Sequence, residues 1–109
     1  MRTLKFIVDG QVITPVPECD FGGLVPGTDG YLKAEFSFSP EWQGCNKVAA
    51  FYSALGKEYS PLVLKDGRTC VIPTEALKKR VFKIKIFGSN GKTTIQTNKV
   101  TIRQNGGKA

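Results

Sequence analysis

The sequence contains no histidine at all. That removes the side chain that most often serves as a general base or a metal ligand near neutral pH. Ser-His-Asp and Cys-His nucleophilic arrangements are excluded with it. Acidic groups are scarce as well, with nine Asp and Glu in 109 residues. Asp9 and Asp66 each precede a glycine, where a turn gives them a conformational role. A glycosidase needs two carboxylates about 5 to 10 Å apart in a cleft, and no spacing here marks such a pair. Cys19, Cys45 and Cys70 are the only cysteines. Their number is odd, and no two have the spacing of a zinc knuckle or a redox CxxC pair. A reducing compartment during folding is expected, although one disulfide plus one free thiol remains an alternative. No metal, cofactor or enzymatic reaction is expected from these absences.

Long hydrophobic runs are also missing. The apolar stretch at residues 4–8 is too short for a signal peptide core, and Lys5 interrupts it. Synthesis in the cytoplasm with no export signal and no membrane span is the expectation. Gly22-Gly23 lacks the Lys and Ser or Thr of a phosphate loop, and Gly88 to Gly91 belong to a turn signal and do not open a helix.

Positive charge, glycine and proline are abundant. Sixteen Lys and Arg give a net charge of +7, and twelve Gly and six Pro punctuate the chain. A partner selected by electrostatics would be anionic, although lysines also keep exposed sheet edges from aggregating. At this length one domain forms, burying roughly 65% of the unfolded chain's surface.

Along the chain the dominant period is two. In residues 31–39, Leu32, Ala34, Phe36 and Phe38 alternate with Tyr31, Lys33, Glu35 and Ser37, as in a strand with one buried face. In residues 81–88, Phe82, Ile84 and Ile86 alternate with Lys83 and Lys85. Further strands are predicted at 3–8, 11–14, 47–53, 59–64, 68–72, 93–97 and 99–103. Asp9-Gly10, Asp66-Gly67 and Asn90-Gly91 are hairpin signals, the first through a type I′ turn. The one helix candidate is short, near residues 74–79, with Thr74 as its cap. Roughly seven to nine short strands with turn signals every eight to twelve residues predict an all-β, immunoglobulin-like β-sandwich. A small barrel is the alternative. The expected organisation is one domain at 1–109: an N-terminal hairpin and a Pro- and Gly-rich arm over 1–30, a core over 31–103, and a frayed polar tail over 104–109.

Three groups of residues are candidates for contact with a partner. Lys33, Lys83, Lys85, Lys99 and Arg103, with Lys78, Lys79 and Arg80 at the short helix, are expected to form a basic docking face. Trp42, Tyr52 and Tyr59 could stack on a sugar or a base, Trp42 alternatively plugging the end of the fold. Pro15, Pro17, Phe21, Leu24 and Pro26 belong to the arm, which could anchor the domain. A groove-entering helix and an RNP-type order of aromatic residues are both lacking, so sequence-specific nucleic-acid binding is not expected. Non-specific nucleic-acid binding through charge is the weakest alternative. Docking on an acidic protein surface makes better use of the lysines.

Several segments carry a resemblance. Phe36-Ser37-Phe38-Ser39-Pro40-Glu41-Trp42-Gln43-Gly44 is followed by Lys47-Val48-Ala49-Ala50-Phe51. Then come Leu64-Lys65-Asp66-Gly67-Arg68-Thr69-Cys70-Val71-Ile72-Pro73-Thr74-Glu75-Ala76-Leu77, Val81-Phe82-Lys83-Ile84, Ile86-Phe87-Gly88 and Gln96-Thr97-Asn98-Lys99-Val100. Over about residues 31–103 the chain resembles small immunoglobulin-like domains of virion proteins from tailed bacteriophages and prophages of Gram-positive bacteria. The resemblance implies a non-enzymatic structural role on a virion: capsid decoration, head fibre, or tail or baseplate accessory. Its implied partners are capsid or tail proteins, with homo-oligomer formation through exposed edges also open. It supplies no catalytic residue. Recognition of a host cell-surface glycan is the alternative function.

Overall fold

A computed structural model describes residues 1–105. Alternating apolar residues place nine strands, among the described residues, in two sheets. The first sheet has the order β2-β1-β3-β6, formed by β1 (Arg2–Asp9), β2 (Val12–Pro15), β3 (Leu32–Phe38) and β6 (Thr69–Val71). The second has the order β5-β4-β7-β8, formed by β5 (Leu62–Val63), β4 (Asn46–Ser53), β7 (Val81–Ser89) and β8 (Thr94–Gln96). In it β9 (Val100–Arg103) also pairs with β7. Among the described residues helix is nearly absent: a 3-10 turn at Pro40–Trp42 and α1 at Thr74–Leu77. The chain is therefore all-β. Its strands are hydrogen-bonded as two separate sheets, which removes the closed-barrel alternative.

Both sheets turn their apolar face to one shared core. Leu4, Phe6 and Val8 of β1 and Leu32, Ala34 and Phe36 of β3 meet Ala49 and Phe51 of β4 and Phe82, Ile84 and Ile86 of β7. Burying one such side chain stabilises by about 1.5–3 kcal/mol, so the alternation fixes which face each strand shows. Phe6 and Phe36 lie opposite each other in register, with their rings 5.4 Å apart and nearly parallel. β1 and β3 run parallel, whereas every other strand pair is antiparallel. A parallel neighbour cannot follow through a tight turn, and residues 16–31 supply the crossover.

The last strand is split. Thr97 is buried, and its hydroxyl accepts a hydrogen bond from the Ile86 amide (3.0 Å) and donates one to the Asn98 carbonyl (2.7 Å). A side chain thus replaces a rung of the ladder, and β8 and β9 attach to successive stretches of the same β7 edge. Asn98 then reaches the other sheet, where its Oδ1 accepts from the Ile13 amide at 2.9 Å. The N-terminal hairpin is held by this bond and is part of the two-sheet body.

Several expectations need correction. The hairpin at Asp9-Gly10 forms, but its central residues are Gly10 and Gln11. Only Gly10 has positive φ (57°), as in a type II′ turn and not a type I′ turn. At Asp66-Gly67 both residues have positive φ (54° and 67°), the type I′ signature, but the turn closes on a single antiparallel bridge between Lys65 and Thr69 and the hairpin extends no further. Residues 59–64 contribute only Leu62–Val63 to the second sheet, and Thr69–Val71 pairs in the first. The turn therefore passes the chain between sheets. Thr74 does not cap α1: Pro73 occupies the cap position, and the Thr74 hydroxyl donates instead to Asp29 Oδ1 at 2.5 Å. The frayed tail is also corrected at its start, because Gln104 is 3% exposed and hydrogen-bonded. Residues 106–109 lie outside the described residues.

Candidate functional site

The two ends of the molecule differ in what they leave exposed. At one end the 3-10 turn folds Trp42 beneath the sheets. Pro40 starts that turn, and Gly44 leaves it with φ of 80°. Trp42 is 0% exposed, and its indole Nε1 donates to the Gly10 carbonyl at 2.8 Å. Its ring lies 5.4 Å from that of Phe38, and Gly88 leaves it room, since a Cβ there would fall 2.6 Å from the indole. Trp42 is the plug that the sequence offers as one of its two roles, and not a stacking platform. Ser39, beside it, accepts from the Gly10 amide and hydrogen-bonds the Glu41 carboxyl, holding that carboxyl below its ordinary range.

Tyr52 is corrected. It is 6% exposed on the outer face of β4, with Lys99 Nζ 4.0 Å above its ring. Burial, and then the Glu58 carboxylate, raises its hydroxyl pKa. Of the three aromatic candidates, Tyr59 alone keeps a partly open ring.

The eight basic candidates separate into three places. Lys83 and Lys85 alternate outward on β7. Lys83 lies opposite Thr101 of β9, and Val81 lies opposite Arg103, so Lys99 and Arg103 share the outer face of the second sheet with them. Long side chains lie along this face, with Lys85 Nζ 5.0 Å above Phe87. The charge stays in solvent while the methylenes cover aromatic surface. Lys33 belongs to β3 of the first sheet and is remote from this group. A single face of eight cations is thus corrected to a face of four, a separate Lys33, and an end group of three.

That end group lies at the pole opposite Trp42. Here Lys78, Lys79 and Arg80 line an open cleft of about 840 Å³ with Pro26, Ser53, Ala54, Leu55, Lys57, Tyr59 and Val81. Its wall is held by Gln104. The Gln104 Nε2 donates to the Leu77 carbonyl (3.0 Å) and the Lys79 carbonyl (2.8 Å), and its backbone amide donates to the Arg80 carbonyl. These bonds turn the backbone acceptors of residues 77, 79 and 80 inward, while the three basic side chains remain exposed. The cleft merges members of all three sequence groups: the basic cluster, Tyr59, and Pro26 of the arm. Sequence reasoning missed Leu55 and Lys57, because a single leucine or lysine in a turn is ordinary and carries no signal of its own.

The arm does not reach outward as an anchor. Leu24 is 2% exposed within the core, and Phe21 packs edge-on against Phe6 at 5.5 Å. The Arg2 guanidinium donates to the carbonyls of Asp20 and Gly22, and the Gly27 amide to Leu77. Pro15 ends β2, and Pro15 and Pro17 are exposed. Residues 15–30 strap the domain's own end because Leu24 and Phe21 have a core to enter.

All three cysteines are free thiols; Cys45 and Cys70 are buried, and burial pushes the Cys70 thiol up to about 12. Among the described residues, no group of three or more His, Cys, Asp or Glu is placed to hold a metal ion. No helix there is long and apolar enough to cross a membrane. Comparison with protein-family models, with curated proteins and with solved structures found no match.

Proposed function

We propose that this protein is a non-enzymatic accessory component of a bacteriophage virion, of capsid-decoration type, that docks on an acidic surface of the particle. The observation that carries this reading is the collection of Lys83, Lys85, Lys99 and Arg103 on one outer sheet face. Such a face is basic, suited to a complementary acidic protein surface whose attraction steers association and weakens with salt. The sequence resemblance to virion domains supplies the kind of surface. An immunoglobulin-like architecture is supported by two features. The chain passes between sheets from β3 to β4 and from β6 to β7, and β5, β4, β7 and β8 lie side by side. The parallel β1–β3 pair is a departure from that pattern.

The glycan reading loses support because two of its three aromatic residues are buried. The test is mass spectrometry of purified virions from the phage or prophage that encodes the chain, followed by co-sedimentation with assembled particles. The protein is expected in virions, with binding reduced by salt and by the Lys83→Glu, Lys85→Glu pair. Its absence from virions overturns the reading.

A further inference from the structure

We infer that the cleft at the Gln104 end is a second, independent binding site, and that it takes an acidic protein segment carrying one apolar side chain. Three observations converge on this occupant. Lys57, Lys78, Lys79 and Arg80 supply four cations to the lining, and among the described residues no Asp or Glu lines it. The lining also holds Pro26, Leu55, Tyr59 and Val81. Leu55 is 98% exposed at the tip of the β4–β5 connection, where it contributes nothing to the core. Together with Pro26, Tyr59 and Val81 it places apolar surface directly beside the four cations of the same lining.

The cleft wall is also prearranged. Gln104 ties the carbonyls of residues 77, 79 and 80 to the body of the domain, and the Gly27 amide ties the arm to Leu77. A partner would therefore meet a fixed wall and would lose little affinity to ordering it. A volume of about 840 Å³ lies in the range of sites that hold small ligands or a few residues of peptide. Nucleic acid would use the cations but gives an exposed leucine nothing to do. Single strands are bound on open aromatic rings, and Tyr59, the one aromatic residue in the lining, is half-buried. An acidic segment with an apolar side chain uses both halves of the lining.

The test is fluorescence anisotropy at low salt with a labelled short peptide in which one leucine is flanked by aspartates and glutamates. Saturable binding is expected. It should weaken about tenfold with Lys79→Glu and about tenfold with Leu55→Ser. Lys33→Glu, which changes net charge equally on the other sheet, should leave affinity within about twofold. All three positions lie at the surface, and unchanged urea midpoints would show that each variant folds.

Several outcomes overturn the inference. They are no saturable binding, equal weakening by Lys33→Glu and Lys79→Glu, or equal affinity for a peptide with serine in place of its leucine. Tighter binding of an oligothymidylate or an anionic polysaccharide, blocked by Lys79→Glu, would instead assign the cleft to that ligand class. None of these results bears on whether the protein is found in virions.

Discussion

The two poles of the molecule are sealed by the same device and differ in what they show to solvent. At one pole the Trp42 indole donates to the Gly10 carbonyl; at the other the Gln104 amide donates to the carbonyls of Leu77 and Lys79. Each is a side chain that satisfies backbone acceptors outside the strand ladders, in the β1–β2 turn at one pole and at the end of α1 at the other. The Trp42 pole then closes over with an apolar ring packed on Phe38 and Gly88. The Gln104 pole leaves Lys78, Lys79, Arg80 and Leu55 exposed around a cleft. One pole is therefore closed by a buried ring, and the other joins its clamp to the exposed surface proposed above to bind a partner.

If that contrast holds, substitutions at the two poles should separate stability from binding. Trp42→Ala should have the largest effect, a loss of about 3–5 kcal/mol in urea unfolding, since it empties a fully buried site and orphans a carbonyl. A loss below about 1 kcal/mol would show that the ring is not the plug. Gly88→Ala should cost about 1–3 kcal/mol, because its methyl would sit 2.6 Å from an indole that its own hydrogen bond holds in place. Combined with Trp42→Ala the penalty should largely vanish, a coupling that a double-mutant cycle reads directly.

At the other pole Gln104→Ala should cost about 1–2 kcal/mol. It should also loosen residues 77–80, seen as faster amide exchange there and nowhere near Trp42. A uniform rise in exchange over the whole chain would count against a local clamp.

The smallest effect concerns the core between the poles, where Cys70 lies opposite Ala34. Its thiol pKa rises from an ordinary 9.0 to about 12 through burial. The folded state keeps the proton that the unfolded chain releases, so this contribution is complete below pH 9 and is lost as pH rises toward 12. Between pH 9 and 10 stability should fall by about 1 kcal/mol more than in Cys70→Ala, which has no thiol to titrate. Matching pH profiles for the two proteins would refute the linkage.

How much of this was legible in the sequence depended on whether a signal was local. Alternation in residues 81–88 and 31–39 placed β7 and β3 correctly because period two is set by the strand itself. Asp66-Gly67 gave the right turn geometry and the wrong partner, since positive φ bends the chain whichever sheet receives it. Lys33 and Lys83 carry the same outward signal, and only pairing decides that they lie on different sheets. The role of Gln104 was invisible, because a glutamine beside Asn-Gly-Gly reads as tail until the carbonyls of residues 77, 79 and 80 arrive beneath it. The cleft was missed for the same reason: Pro26, Leu55, Tyr59 and Arg80 are brought together only by tertiary structure.

The parallel pair of β1 and β3 also has a consequence in time. Arg2–Asp9 pairs with Val12–Pro15 across a tight turn, and that hairpin can form at once. Its other neighbour, Leu32–Phe38, lies beyond the crossover, and the entropy of closing that loop precedes any reward from pairing. Hairpin β7–β8, joined by a short turn, has no such delay. Assembly of the first sheet should therefore limit refolding, on the millisecond-to-second scale usual for non-local β topologies. Shortening the crossover at exposed Pro17 and Glu18 should then alter the folding rate more than the unfolding rate, and stopped-flow kinetics showing the reverse would place the slow step elsewhere.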